Sequence, residues 1–129
     1  KRAGGLAVES AKSIHTSIDH YDMNRFISQI PRLEIIPGDA CDTIPQFLEE
    51  NKHVVVALLY LDFDIYKPTR VAIECLWDRM PSGAVIAFDE LNQAQWPGET
   101  MAVLDSIGIA SLRLKRVPFQ PQISYAIKS

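Results

Sequence analysis

Residues 54–61 form an unbroken apolar run that stops abruptly at Asp62. A run of this kind has no polar face, so it predicts a strand that is buried on both sides, as the strands of parallel sheets are. A second apolar stretch, residues 84–88, stops in the same way at Asp89 and Glu90. The sequence therefore predicts two parallel strands whose carboxyl ends both carry acidic side chains.

Helical and extended patterns alternate on the amino-terminal side of these strands. Residues 8–30 carry isoleucines and a tyrosine at three- and four-residue steps, which predicts an amphipathic helix. A short strand is predicted at residues 33–36. Asp42 or Thr43 is expected to cap the next helix, in whose first turn Pro45 is tolerated.

The alternation continues to the end of the chain. Helices are predicted at residues 67–80 and 99–107, and residues 112–117 and 122–127 predict an antiparallel hairpin. This order of elements is typical of an α/β domain built in three layers. We expect residues 1–129 to belong to one such domain.

Four carboxylates are expected at one edge of the sheet, namely Asp62, Asp64, Asp89 and Glu90. Ligands of open α/β sheets bind beyond the carboxyl ends of the strands. The four acids come just after the two predicted strands, so they are expected at that position. Carboxylates that converge repel one another, and a hard cation that prefers oxygen ligands relieves the repulsion. The residues therefore predict a divalent cation site, with Mg²⁺ as the default and Mn²⁺ or Ca²⁺ as alternatives.

Helix capping is the competing explanation for one of these acids. Asp64 lies just before a predicted helix, where an acidic side chain stabilises the helix by roughly 0.3–1 kcal/mol without any catalytic role. Capping does not explain Asp62, nor the second acidic pair on the neighbouring strand.

Composition excludes several classes of function. The formal net charge of −3 does not suit a nucleic-acid-binding protein. No apolar stretch reaches membrane-spanning length, and the first residues do not resemble a signal peptide. Cys41 and Cys75 are not arranged as a CxxC pair, which suits a reducing compartment, so a cytoplasmic protein is expected.

Three strings and their joint spacing resemble the macrocin O-methyltransferase family: LDFDIYKPT at 61–69, SGAVIAFDE at 82–90 and WPGE at 96–99. GGLAV at 4–8 and IPGDA at 36–40 fit the same pattern. Within the family, the likeness is to the nucleotide-deoxyhexose 3-O-methyltransferase branch. The resemblance implies a Rossmann-like, class I enzyme that depends on S-adenosylmethionine and a metal ion, and that methylates a sugar hydroxyl in antibiotic biosynthesis.

The resemblance also implies roles for individual residues. Asp62, Asp89 and Glu90 match the metal ligands, although the family often has Asp where this chain has Glu90. Asp64 matches the general base. Asp39 and Ala40 match the turn at the adenine end of S-adenosylmethionine, and Asp62 is also expected to contact the cofactor.

The family's glycine-rich cofactor loop and its ribose-binding acid lie on two strands upstream of the matched motifs. The class I strand order is 3-2-1-4-5-7-6, and the resemblance places this chain in the carboxyl-terminal part of it, without the first two strands. An open sheet edge invites pairing with another chain, so a homo-oligomer is expected.

Two alternatives remain open at this point. The chain is a truncated and inactive methyltransferase fragment, or it is a haloacid-dehalogenase-like phosphatase in which Asp62 is the nucleophile and Asp64 the acid/base. Against the phosphatase, Tyr66 stands where that fold normally has Thr or Val.

Overall fold

The computed structural model describes residues 11–23, 25–27 and 29–129. They belong to two compact units, of which one ends at Ile36 and the other spans Pro37–Ser129.

The unit that ends at Ile36 contains helix α1, Ala11–Met23. The helix is shorter than the 8–30 predicted, and residues 8–10 lie outside the described residues. After it, the backbone N–H of Arg25 donates to the carbonyl of Asp22 at 3.2 Å, and the Arg25 Nε donates to the Asp22 carboxylate at 2.6 Å. This turn ends the helical pattern. The strand predicted at residues 33–36 is wrong, because no described strand pairs with this segment.

The unit Pro37–Ser129 holds the remaining elements. They are α2 (Ala40–Glu50), β1 (Leu58–Leu61), α3 (Tyr66–Leu76), a 3-10 helix (Trp77–Arg79), β2 (Val85–Phe88), α4 (Gly98–Ser106), a second 3-10 helix (Ile109–Ser111), β3 (Lys115–Val117) and β4 (Gln120–Ile127). None of the helices in the described ranges is long and apolar enough to cross a membrane.

The four described strands form one sheet in the order β1-β2-β4-β3. β1 and β2 are parallel, with Leu58 opposite Val85 and Leu61 opposite Phe88. β4 runs antiparallel to both β2 and β3, which confirms the predicted hairpin. This order reproduces positions 4-5-7-6 of the expected class I sheet.

One face of the sheet carries the core of this unit. Leu59 and Leu61 of β1 and Phe88 of β2 pack in a cluster with Ile73 of α3 and Val103 of α4. Burial of this apolar surface is the main stabilising contribution to the unit.

The prediction that β1 is buried on both sides is wrong for this unit. Alternate side chains of a strand point to opposite faces. Leu59 is 7% exposed, whereas Leu58 and Tyr60 are 61% and 45% exposed. The strand is also shorter than the apolar run, since its ladder begins at Leu58. The cause is that the helices of this unit pack against the other face.

Helix α2 begins earlier than predicted. Its N-cap is Asp39, whose carboxylate accepts a hydrogen bond from the Cys41 backbone N–H at 2.8 Å, so neither Asp42 nor Thr43 caps it. Pro45 consequently lies inside the helix rather than in its first turn.

The two faces of β1 predict unequal costs for the same substitution. We expect Leu59→Ala to lower the free energy of unfolding by roughly 2–5 kcal/mol, because it opens a cavity in the core. Leu58→Ala, on the exposed face, is the matched control and should cost less than about 1 kcal/mol. Urea unfolding measures both, and equal losses would contradict the one-sided core.

Candidate active site

The two acidic strand ends are brought together by the parallel pairing of β1 and β2. Beyond the last residue of β2, the backbone N–H of Asp89 donates to the carbonyl of Leu61 at 3.0 Å, so the ladder continues into the acidic pair. Burial first, and then the charges of Asp89 and Asp64, raise the pKa of Asp62 above its ordinary value. Asp62 and Asp89 are therefore neighbours at this edge of the sheet.

Asp64 has an unusual backbone conformation, with a φ of 61°. This left-handed region is sparsely populated by residues other than glycine, and Asp is among the residues that tolerate it. The N-cap of α3 is Ile65, and no side chain caps that helix by a hydrogen bond. Asp64 thus makes no capping hydrogen bond to α3, while its charge lies one residue before the N-cap, where it is compatible with the helix-stabilising explanation.

Glu90 lies near Asp64. One carboxylate oxygen of Glu90, Oε2, is buried without a hydrogen-bond partner. Burial first, and then the charge of Asp64, raise the pKa of Glu90. A carboxyl pair of this kind shares a proton or is neutralised by a cation.

Glu99 is a fifth acid of the site, which the sequence analysis did not single out. It lies in the first turn of α4, is 0% exposed, and its Oε2 accepts a hydrogen bond from the Glu90 backbone N–H at 3.0 Å. Its Oε1 is buried without a hydrogen-bond partner. Burial is the largest cause that raises the pKa of Glu99 to about 7. The WPGE string contains this residue, but nothing in the sequence shows that an acid at a helix start is fully buried.

Tyr60 is a second residue that sequence reasoning missed. Its hydroxyl donates a hydrogen bond to the carboxylate of Asp89, and this bond is the largest cause that raises the pKa of Tyr60 to about 12. Alternation along β1 offered a signal, because residues two apart on a strand share a face and Asp62 follows Tyr60 at that distance.

Gly98 holds the start of α4 against the loop that carries Asp64. A Cβ atom at Gly98 would lie 2.5 Å from the backbone nitrogen of Tyr66 and 2.6 Å from the carbonyl oxygen of Asp64. Only glycine allows two backbones to approach so closely. This contact fixes the loop that follows β1 relative to the helix that carries Glu99.

Asp39 and Ala40, the residues predicted to contact the cofactor, form the beginning of α2. The hydrogen bond from the Cys41 backbone N–H is the largest cause that lowers the pKa of Asp39, and the charge of Lys67 adds to it. Lys67 belongs to the first turn of α3, the helix that packs against α2. The Asp39 side chain has a structural role as a helix cap.

The donor set meets the needs of a divalent cation only in part. Carboxylate oxygens suit a hard cation, and the buried Oε2 of Glu90 is an oxygen available to one. However, within residues 11–23, 25–27 and 29–129 no three His, Cys, Asp or Glu side chains are arranged to hold a metal ion. The Asp89 carboxylate accepts a hydrogen bond from the Tyr60 hydroxyl. The chemistry of the donors fits a cation, while a three-ligand centre is not preformed.

Comparisons with known proteins add independent information. No protein-family model matches the sequence, and no curated protein matches it. Among solved structures, the apo structure of CalS11, a TDP-rhamnose 3′-O-methyltransferase of calicheamicin biosynthesis, matches with a TM-score of 0.88 and 29% identity over 95% of this chain. A second structure of CalS11, the calicheamicin methyltransferase, gives the same values, and the O-methyltransferase NovP matches with a TM-score of 0.68 and 19% identity over 92% of this chain.

These likenesses confirm the predicted fold class. The chain has the Rossmann-like fold of O-methyltransferases, and its matches are enzymes of that type. A methyltransferase of this type implies S-adenosylmethionine as the methyl donor. The chain spans about half the length of these structures, since it covers 54%, 48% and 45% of them.

The burial of Glu99 makes stability depend on pH. Its pKa is raised from the ordinary 4.5 to about 7, so the folded state binds this proton more tightly than the unfolded state does. The contribution of this proton to the free energy of unfolding is therefore fully present below about pH 4.5, and it is lost as the pH rises to about 7. In Glu99→Gln, which resembles the protonated acid, this loss is absent. The free energy of unfolding of the variant, relative to that of the wild type, should therefore rise by up to roughly 3 kcal/mol between these pH values.

Urea unfolding with a chelator present, at about pH 5 and about pH 8, measures this difference. Asp62 and Glu90 are present in both proteins, so the comparison isolates residue 99. A difference between the two proteins that does not change with pH would contradict a raised pKa at Glu99.

Proposed function

We propose that this chain is part of an S-adenosylmethionine-dependent O-methyltransferase that acts on the hydroxyl of a sugar, either a nucleotide-linked deoxyhexose or a glycosylated natural product. The observation that carries the proposal is the likeness to the TDP-rhamnose 3′-O-methyltransferase structure over 95% of the chain, together with the acidic cluster at the ligand edge of the sheet. The fold alone would not give a function, since one fold supports many activities.

Asp64 is the proposed general base. In methyl transfer, the hydroxyl oxygen attacks the methyl carbon while the bond from that carbon to sulfur breaks, and the hydroxyl proton must go to a base. S-Adenosylmethionine, when bound, supplies the electrophilic methyl group. Asp64 projects from a left-handed backbone position at the loop between β1 and α3, and its carboxylate accepts the proton.

Asp62, Asp89 and Glu90 are the proposed ligands of a divalent cation, Mg²⁺ or alternatively Mn²⁺ or Ca²⁺. Burial and mutual repulsion disfavour the charged forms of Asp62 and Glu90, and a cation nearby would reverse that effect. The cation would polarise adjacent hydroxyls of the sugar.

Asp39, Ala40 and Asp62 are the proposed contacts to S-adenosylmethionine. The Asp39 carboxylate is engaged through Oδ1 by the Cys41 backbone N–H, which leaves its Oδ2 and the backbone of Ala40 for the cofactor. Asp62 directly follows β1. In the sequence it lies between the Asp39–Ala40 turn and the Asp89–Glu90 pair.

We also propose a cytoplasmic homo-oligomer. The exposed face of the sheet carries apolar side chains, of which Leu58 is 61% and Ile127 51% exposed. The outer edge of β1 pairs with no other described strand. An uncovered apolar face and an open edge favour association with a second chain.

A second candidate is a methyltransferase fragment without activity. The observation that favours it is length, because the chain covers about half of each matched structure. The phosphatase alternative gains no such support from the matches.

Methyl transfer distinguishes the two candidates. The 129-residue chain and the complete open reading frame around it are incubated with S-adenosylmethionine and a panel of nucleotide-deoxysugars, and methylated product is detected by mass spectrometry. Product from the complete reading frame is expected, and Asp64→Asn should lower its rate by roughly 10²-fold or more because the base is lost. Asp78→Asn, an exposed acid on a 3-10 helix, is the control and should keep full activity. An active Asp64→Asn enzyme would remove Asp64 from the mechanism, and product from the 129-residue chain would exclude the fragment candidate.

Cation binding is measured separately by calorimetric titration with Mg²⁺. We expect heat from the wild type that Asp62→Ala abolishes, because a proposed ligand is removed. The Asp78→Ala protein should bind as the wild type does. Equal heats for wild type and Asp62→Ala would contradict the proposed cation site.

A further inference from the structure

The Asp89–Glu90 pair is held in place by more than its strand. β2 ends at Phe88, and the last ladder bond reaches only the N–H of Asp89. The polar loop that follows leads to α4. Without other contacts, the carboxylate of Asp89 and the backbone at Glu90 would be set by the end of a strand alone.

Glu99 contacts this pair from the side of α4. Its Oε2 accepts the Glu90 backbone N–H at 3.0 Å, and the side chain is completely buried. Burial of a carboxylate is costly, and an apolar side chain at a core position would serve stability better. The hydrogen bond to Glu90 gives a reason for an acid at this position, which is to fix the backbone that carries the Glu90 side chain.

Tyr60 contacts the same pair from the exposed face of the sheet. Its hydroxyl donates to the Asp89 carboxylate, although the residue is 45% exposed and adds little to the core. This hydrogen bond joins β1 to the residue that directly follows β2, and it restricts the rotation of the Asp89 side chain. Outer hydrogen bonds of this kind orient the ligands of metal sites.

We propose that Tyr60 and Glu99 are positioning residues that hold the Asp89 carboxylate and the Glu90 backbone from opposite faces of the sheet. The functional consequence of these bonds, the orientation of two cation ligands, rests on the proposed function. The geometric part, the two hydrogen bonds, does not depend on that function.

Hydrogen exchange tests the geometric part. In Glu99→Ala the Glu90 amide loses its acceptor, so its exchange should be faster than in the wild type by roughly tenfold or more. In Glu99→Gln the side-chain carbonyl still accepts, and the Glu90 amide should remain protected. Exchange at Glu90 followed by NMR in the wild type and both variants provides the measurement. Equal Glu90 exchange in wild type and Glu99→Ala would overturn the role of Glu99.

Cation affinity tests the consequence, with Mn²⁺ as the probe in calorimetry. Tyr60→Phe and Glu99→Ala should each weaken binding by about tenfold, whereas Glu99→Gln should stay within about twofold of wild type. Tyr66→Phe is the matched control, because it also removes a tyrosine–aspartate hydrogen bond, that of Tyr66 to Asp105 at 2.9 Å. It should bind Mn²⁺ as the wild type does.

The outcomes separate this proposal from the proposed function. Wild-type affinity in Tyr60→Phe would overturn the role of Tyr60, and loss of affinity in Glu99→Gln would show that the charge of Glu99 matters rather than its hydrogen bond. If the wild type itself binds no Mn²⁺, the proposed cation site fails. The Glu90 exchange rates then decide for Glu99. For Tyr60, the decisive measurement is the NMR chemical shift of the Asp89 carboxyl carbon, which should differ between the wild type and Tyr60→Phe if the Tyr60 hydroxyl donates to that carboxylate. An unchanged shift would overturn the role of Tyr60.

Discussion

The parallel pairing of β1 with β2 is the interaction on which the candidate site depends. It places Leu61 beside Phe88, so that Asp62 and Asp89, the next residue of each strand, emerge at the same edge. The hydrogen bond from the Asp89 N–H to the Leu61 carbonyl extends this pairing by one residue. Antiparallel strands would have placed the two acids at opposite ends of the sheet. Since the buried faces of the same strands form the core, the contacts that stabilise the unit also bring the acids together.

Packing around this pair then assigns different surroundings to similar side chains. Glu90 has a buried carboxylate oxygen without a hydrogen-bond partner, whereas Asp89 accepts a hydrogen bond from Tyr60. Glu99 is enclosed completely, and its raised pKa reports the cost of that burial. Gly98 packs closely against the loop that carries Asp64. This contact joins the loop to α4, the helix that carries Glu99. The acids of the site thus share one functional group, the carboxyl group, and differ in the contacts that each one makes.

Much of the fold followed from hydrophobic pattern. The alternation of elements, both parallel strands and the carboxyl-terminal hairpin were correctly predicted, because apolar runs and turn residues report them locally. The errors have a common physical origin. The strand expected at residues 33–36 has no pairing partner among the described strands, and the apolar run of β1 is covered on one face only by the helices of its unit. Pattern shows what a strand needs to bury, and only neighbouring elements show what covers it.

The sequence by itself determined the identity of four acids at two strand ends, and with them the edge proposed as the binding site. It also carried the motifs that resemble sugar O-methyltransferases, a likeness that the matched structures support. Tertiary structure alone decided that Asp64 lies in a left-handed conformation rather than capping α3. It alone revealed Glu99 and Tyr60 as partners of the acidic pair, because burial and contacts between distant residues have no local signature. Residue type fixes which chemistry is available, and packing fixes which atoms meet.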